Sequence, residues 1–351
     1  MKNIARVALK SGMEIAEDVY SYKNDLLVSA GTIVDDVVIA KLSRYSIMCV
    51  FIKEDIDYAT THFEKIRLTS DFKAFEEQYS KSLLLYKAIM ISFSTNGISF
   101  QINQLMQIYR DISVCASTEV RLLDYLYNMI PGEDDMTHAH CLNAALIAGV
   151  FGSWWGLPRE DHEILIQCGF CYDIGKLKLT DDLLWKPEKL TDDEYEKMKT
   201  HTQMGYQMLQ NQYVNPHIKN ATLMHHERLD GSGYPAGLKQ EEIDIFAKYI
   251  AIVDSYEAMT SARTYRQSQH VFQVIHNFEQ SNGFKYDNQI LRPILKRLAQ
   301  SQLGFTVLLN NDVTAEVILI NDAKLSRPLL KSGEELIDLS VNPQLGIVNV
   351  Y

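Results

Sequence analysis

Two aspartates lie in stretches of sequence that are otherwise apolar enough to be buried. Asp173 follows the largely apolar segment 164–172. Asp254 is the only charge in a stripe at helical spacing that consists of Ala247, Ile250, Ala251, Asp254 and Ala258. A buried carboxylate is costly unless a partner compensates its charge. The sequence therefore predicts helices that pack with both carboxylates facing inward, where a cation can neutralise them.

Histidines in the same part of the chain are placed to supply further ligands for such a cation. His140, His201 and the adjacent pair His225 and His226 fall in or beside the predicted helices. Imidazole and carboxylate ligands together suit iron, manganese or zinc. A single histidine is more often an ordinary core or surface residue, whereas four histidines with two inward aspartates favour a metal site.

The hydrophobic pattern divides the chain into four segments. Residues 1–58 alternate short β-like runs with turn signals and include one short helix at 37–44. Residues 72–131 have long helical periodicity, residues 132–300 are almost continuously helical, and residues 303–351 return to strand signals. The predicted fold is mainly α, with an all-helical domain and small β-containing units at both ends of the chain.

The periodicity of residues 72–131 predicts two helices that break near Gly97. Amphipathic helices of this length are often shared between the subunits of a homodimer, and they also pack within a single chain. The sequence leaves both uses open.

Composition and charge narrow the functional class. The 351 residues include five scattered cysteines, an odd number that does not indicate a disulfide framework. The sequence has no uninterrupted apolar run of about 18 residues, and its N-terminus lacks the apolar core of a signal peptide. We therefore expect a cytoplasmic protein without a membrane partner. The net charge of −11 argues against binding of bulk nucleic acid but is compatible with a small anionic ligand in a locally basic pocket.

Residues 225–235, with the sequence His-His-Glu-Arg-Leu-Asp-Gly-Ser-Gly-Tyr-Pro, match the extended GYP signature of the HD-GYP family. Because this motif is long, it is far more specific than any single ligand. Four shorter segments resemble the rest of the family pattern in the expected order, namely 137–140, 173–176, 198–201 and 253–266. The chain thus resembles the HD-GYP family over about residues 130–300.

The resemblance implies a metal-dependent phosphodiesterase that hydrolyses cyclic di-GMP to pGpG or GMP. In that family a pair of metal ions, commonly iron or manganese, activates water and stabilises the charge that develops on the phosphate. The resemblance implies catalytic roles for Asp173, which would bridge two ions, and for Lys176. The residues that it implies for binding the dinucleotide are Lys176, Gly233, Tyr234, Pro235, Arg263 and Arg266.

One position departs from the family pattern, because Tyr172 stands where the histidine of the HD motif is expected. Carried over residue by residue, one metal site would use His140, Tyr172, Asp173 and Asp254. The other would use Asp173, His201, His225 and His226. A phenol has a pKa near 10 and must lose its proton to bind a metal, which ferric iron promotes more readily than manganese or zinc. The first site is therefore expected to be weakened, and the protein to bind one or two divalent or ferric ions.

Two functions are compatible with these residues. The protein is either a working phosphodiesterase, with water completing its first metal site, or a catalytically degenerate module. Such a module would bind cyclic di-GMP or a signalling protein partner and report this through the long helices. Retention of the GYP loop, Lys176 and six of the seven implied ligands favours a pocket that binds the dinucleotide. Loss of the HD histidine favours slow turnover.

Overall fold

The computed structural model describes residues 2–6, 9, 13–21, 25–45, 47–53, 62–129, 135–184, 186, 189–261, 269–281 and 284–351. Arg263 and Arg266, which the sequence assigns to phosphate binding, lie outside the described residues. The chain divides into two units, Met1–Leu68 and Thr69–Tyr351.

In its described residues the first unit contains two small antiparallel strand pairs and two short helices. Its elements are β1 (Lys2–Ala5), β2 (Val19–Tyr20), β3 (Leu26–Val28), α1 (Asp36–Arg44), β4 (Cys49–Ile52) and α2 (His62–Arg67). β1 pairs with β4, and β2 pairs with β3. α1 is the short helix predicted at 37–44, and the Asp35 carboxylate caps it by accepting a hydrogen bond from the Val38 amide at 2.8 Å. Ile15, Val34 and Leu42 are fully buried in the core of this unit.

The second unit begins with α3 (Ser70–Asn96), α4 (Ile102–Ser113) and α5 (Glu119–Asn128). The predicted break at Gly97 is confirmed, since Gly97 ends α3 in the left-handed conformation with φ of 66°. The prediction of two helices in this region is wrong. A turn follows α4, and the Thr118 hydroxyl then accepts a hydrogen bond from the Arg121 amide and starts a third helix.

The helices that follow enclose the predicted ligands. They are α6 (Met136–Trp155), α7 (Arg159–Cys171), α8 (Asp181–Leu184), α9 (Asp192–Lys199), α10 (His201–Leu209), α11 (Pro216–Met224), α12 (Ile245–Thr260), α13 (Val271–Gln280) and α14 (Asn288–Gln300), with 3₁₀ turns at Ile174–Lys178 and Gln240–Glu242. α6 is apolar on almost every side, which is typical of a central helix, and it packs against α7 and α12. These three helices bring His140, Asp173 and Asp254 together. None of the helices in the described part of the chain has the length and apolarity needed to cross a membrane.

A five-stranded antiparallel sheet forms the C-terminal part of the second unit. Its strands are β5 (Thr306–Leu309), β6 (Thr314–Leu319), β7 (Leu329–Ser332), β8 (Glu335–Asp338) and β9 (Ile347–Val350), in the spatial order β8-β7-β6-β5-β9. The sequence predicts β5, β6 and β9 but misses β7 and β8. These two strands form a tight hairpin through Gly333, whose φ is 59°. The mainly α fold with small β units at both ends is confirmed.

Candidate metal centre

Two groups of metal-ligating side chains share one carboxylate. The first group is Asp173, His201, His225 and His226, and the second is His140, Asp173 and Asp254. Within each group the ligand atoms lie within 4.8 Å of one another. Asp173 is fully buried and lies between the end of α7 and the 3₁₀ turn, so it faces both groups. The structure therefore brings together the six histidines and aspartates that the sequence singles out.

The first group has imidazole nitrogens that converge on a buried oxygen. Nδ1 of His201 donates to the Met198 carbonyl at 2.6 Å, and Nδ1 of His225 donates to the Ala221 carbonyl at 3.1 Å. Each Nε2 atom therefore carries a lone pair in the neutral ring. The two Nε2 atoms lie 3.4 Å apart, and they lie 3.2 and 3.6 Å from Oδ1 of Asp173.

Oδ1 of Asp173 has no hydrogen-bond partner although it is buried. Such a buried oxygen without a partner is unfavourable, and a cation placed between it and the Nε2 atoms of His201 and His225 would satisfy all three atoms. The residues present therefore fit a bound metal ion.

The second group is built around His140 on α6. Its Nε2 lies 3.1 Å from Oδ1 of Asp254 and 3.2 Å from Oδ2 of Asp173, and its Nδ1 forms a short hydrogen bond with Glu257. Burial disfavours the charged ring, but Glu257 and the hydrogen bonds to the two aspartates outweigh burial and raise the pKa of His140 well above its usual value. A proton on Nε2 can thus neutralise the carboxylates, at the position that a metal ion would take.

Glu257 is a functional residue that the sequence reasoning missed. It is buried on α12, three residues after Asp254, and it accepts hydrogen bonds from His140, Asn143 and Ser261. A carboxylate that holds the second nitrogen of a metal-ligating histidine fixes the orientation of the ring. The sequence could have indicated Glu257 by its spacing from Asp254, since residues three apart on a helix share a face.

Tyr172 is fully buried beside both groups. Its hydroxyl donates a hydrogen bond to Oδ1 of Asp254 at 3.3 Å, and its ring packs edge-on against His225 with 4.9 Å between ring centroids. Burial and then the charges of Asp254 and Asp173 raise the pKa of Tyr172 well above its usual value. In this arrangement the phenol keeps its proton and serves as a donor to a ligand.

Lys176 lies at the same carboxylate. Its Nζ is 2.5 Å from Oδ2 of Asp173, and its side chain is partly exposed. Burial lowers the pKa of Lys176, but Asp173 and Asp254 outweigh this effect and raise it above the usual value. The ammonium is therefore charged, and the contact with Asp173 uses one of its three donors.

A glycine allows the turn that carries Asp173 and Lys176 to approach α10. A Cβ atom on Gly175 would lie 1.8 Å from the carbonyl oxygen of His201 and 2.6 Å from the amide nitrogen of Gly205. No side chain fits this space. The close contact between the two backbones is what brings Asp173 next to His201.

The loop of the GYP signature lies against the first group. A Cβ atom on Gly233 would lie 2.4 Å from the His226 carbonyl oxygen, so only glycine allows this backbone approach. The Tyr234 ring stacks on the His226 ring with 4.6 Å between centroids, and Pro235 follows it. Buried Glu227 holds the far side of the loop by accepting hydrogen bonds from the amides of Ala236 and Leu238. The predicted residues Gly233, Tyr234 and Pro235 thus lie beside the ligands.

Part of the chain is similar to known proteins. A family model described as an HD domain matches residues 133–290. A cyclic di-GMP phosphodiesterase of Pseudomonas aeruginosa is 35% identical over 199 residues, which are 56% of this chain and 48% of the relative. A 3′3′-cGAMP-specific phosphodiesterase of Vibrio cholerae is 33% identical over 175 residues, which are 49% of this chain and 40% of the relative. The chain spans about half the length of the curated relatives it matches.

A solved structure agrees with the fold. An HDG"Y"P protein from Bdellovibrio bacteriovorus aligns with a TM-score of 0.52 over 85% of this chain and 99% of its own, at 12% identity. The solved structure thus supports the fold, and residues 133–290 are similar to the HD domain family.

Proposed function

We propose that the protein is a metal-dependent phosphodiesterase that hydrolyses cyclic di-GMP to pGpG or GMP. The observation that carries this proposal is the fully buried Asp173, whose two oxygens face two separate groups of ligands. A carboxylate in this position suits a pair of metal ions that share it. The names of the relatives from Pseudomonas aeruginosa and Vibrio cholerae support a cyclic dinucleotide as the substrate.

The residues around Asp173 would hold two metal ions. The first group would hold an ion through His201, His225 and His226, and the second through His140 and Asp254. When bound, such ions supply Lewis acidity to the phosphate and to the attacking water. Iron or manganese is proposed because both accept mixed imidazole and carboxylate ligands.

Substrate binding is assigned to the rim of the centre. The charged Lys176 has donors left for a phosphate oxygen beyond its contact with Asp173. Tyr234 presents a ring next to His226, and Arg263 and Arg266 would supply further bidentate contacts to phosphate. Local positive charge of this kind can bind a small anion although the whole chain carries a net charge of −11.

The second candidate is a degenerate module that binds cyclic di-GMP or a signalling protein and hydrolyses little. Tyr172 favours it, since a buried phenol that donates to Asp254 leaves the second group with three ligands. Helices in residues 72–131 could also form a homodimer that passes a binding signal to a protein partner, and this stays a prediction. The contacts support packing of α3 within the chain, because the Tyr86 hydroxyl donates to the Phe170 carbonyl at 2.5 Å.

Metal analysis of protein purified without oxygen, followed by a cyclic di-GMP turnover assay on the same sample, tests the proposal. The control is Asp173→Asn, which keeps the side-chain shape but removes the charge shared by both groups. We expect metal and turnover in the wild type and loss of both in the variant. Metal-loaded wild type that binds cyclic di-GMP without turning it over would support the degenerate module. Absence of both binding and turnover would refute both candidates.

A further inference from the structure

A chain of buried hydrogen bonds connects α3 with the second ligand group. The Tyr79 hydroxyl donates to Oδ1 of Asn143 at 2.7 Å, and Nδ2 of Asn143 donates to Oε1 of Glu257 at 3.0 Å. The other oxygen of Glu257 binds Nδ1 of His140. Tyr79, Asn143 and Glu257 are each at most 3% exposed, so water does not compete for these contacts.

The chemistry of the groups fixes the direction of each bond. Burial, and then the charge of Glu257, raise the pKa of Tyr79 well above its usual value, so its phenol acts as a donor to Asn143. Asn143 then accepts with its oxygen, so its amino group faces Glu257. An ionised Glu257 only accepts, and His140 must therefore carry a proton on Nδ1. This leaves Nε2 as the atom of His140 that faces Asp173 and Asp254.

We propose that Tyr79 and Asn143 are positioning residues that act through Glu257 to hold His140 toward Asp173 and Asp254. The proposal rests on the proposed function only in treating His140 as a metal ligand. It extends the site to α3, which lies outside the residues of the matched HD domain, 133–290.

Removal of the Tyr79 hydroxyl should affect metal binding at only one of the two ligand groups. His201 and His225 take their orientation from backbone carbonyls of Met198 and Ala221, with no side chain of α3 in those contacts. The second group, in contrast, depends on side chains for the orientation of His140. Loss of the Tyr79 hydroxyl should therefore weaken binding of metal by His140 and leave the first group unchanged.

The same helix provides a matched control. Tyr86 is also fully buried on α3, and its hydroxyl donates a short hydrogen bond to the backbone carbonyl of Phe170 and lies beside the Cys141 thiol. Tyr79→Phe and Tyr86→Phe each remove one buried hydroxyl and keep the ring. They differ in whether the lost bond belongs to the chain that ends at His140.

The test is nitrogen-15 NMR of histidine side chains, with the His140 signals assigned from a His140→Gln variant. In metal-free protein, Tyr79→Phe should shift the Nδ1 proton of His140 more than Tyr86→Phe does. In a titration with Zn²⁺, Tyr79→Phe should weaken the response of His140 about tenfold, at the lower end of the effect of losing a ligand's supporting partner. The responses of His201 and His225 should be unchanged.

If Tyr79→Phe does not fold, Asn143→Asp tests the same chain at similar volume by placing a second carboxylate opposite Glu257. Its expected effect is also weaker binding of Zn²⁺ at His140 alone. Equal effects of Tyr79→Phe and Tyr86→Phe, or equal weakening of both ligand groups, would overturn the proposal. If Zn²⁺ shifts no imidazole signal of the wild-type protein, that result would count against the proposed function. The change in the chemical shift of the His140 Nδ1 proton would still test the positioning role.

Discussion

The hydroxyl of Tyr172 lies 3.3 Å from Oδ1 of Asp254 and donates a hydrogen bond to it. The resemblance to the HD-GYP family predicts an imidazole ligand at this position, so this contact would replace a ligand by a donor to a proposed ligand. Because Asp254 would share its electron pairs between the phenol and an ion, we expect the contact to weaken metal binding by the second group.

Tyr172→His should therefore raise the metal content toward two ions per chain and increase the turnover of cyclic di-GMP by about 10- to 100-fold. Metal analysis and a turnover assay on the same sample measure both effects. Tyr172→Phe is the control, because it removes only the hydroxyl. If the wild type already holds two ions and Tyr172→Phe abolishes turnover, the phenol is itself a ligand.

Replacement of His225 and His226 by alanine should remove most of the bound metal, because the first group then retains only Asp173 and His201. His217→Ala is the matched control on α11. The His217 side chain is 42% exposed and bonds to Asp244, away from the centre. Metal content measured by mass spectrometry should fall in the double variant and not in the control. Unchanged content in the double variant would show that the ligand assignment is wrong.

Gly175→Ala should destabilise the protein by about 1 to 3 kcal/mol, since the new methyl group would overlap the His201 carbonyl and force the two backbones apart. The same shift moves Asp173 away from His201 and should weaken metal binding. Gly346→Ala is the control, because its methyl group would meet no atom within 4 Å. Unfolding by urea compares the two variants, and equal stability of both would contradict the close approach.

Arg263→Ala and Arg266→Ala should each weaken cyclic di-GMP binding by about 1 to 3 kcal/mol if their hydrogen bonds to phosphate are charge-assisted. The two arginines are assigned from the sequence motif alone. Arg159→Ala provides a comparison on the exposed start of α7, where the arginine pairs with Glu163. Calorimetry that finds wild-type affinity in both test variants would remove these residues from the site.

The sequence by itself singled out the six histidines and aspartates that the structure brings together. His140, Asp173, His201, His225, His226 and Asp254 could be identified because each lies in a motif of fixed order, and the two aspartates stand out as charges in apolar surroundings. The helical class of the domain followed from periodicity in the same way. These signals are local, so they can be read without knowing how the helices pack.

Only the tertiary structure showed which side chains form hydrogen bonds to those residues. Tyr79 and Asn143 are 64 residues apart in the chain, and nothing in the sequence around either of them marks the contact. Likewise, a tyrosine at 172 is compatible with a ligand or a donor until its distance to Asp254 is known. The physical reason is that a hydrogen bond depends on the distance and angle between two specific groups. Packing of α3, α6 and α12 sets those quantities, and local propensity does not.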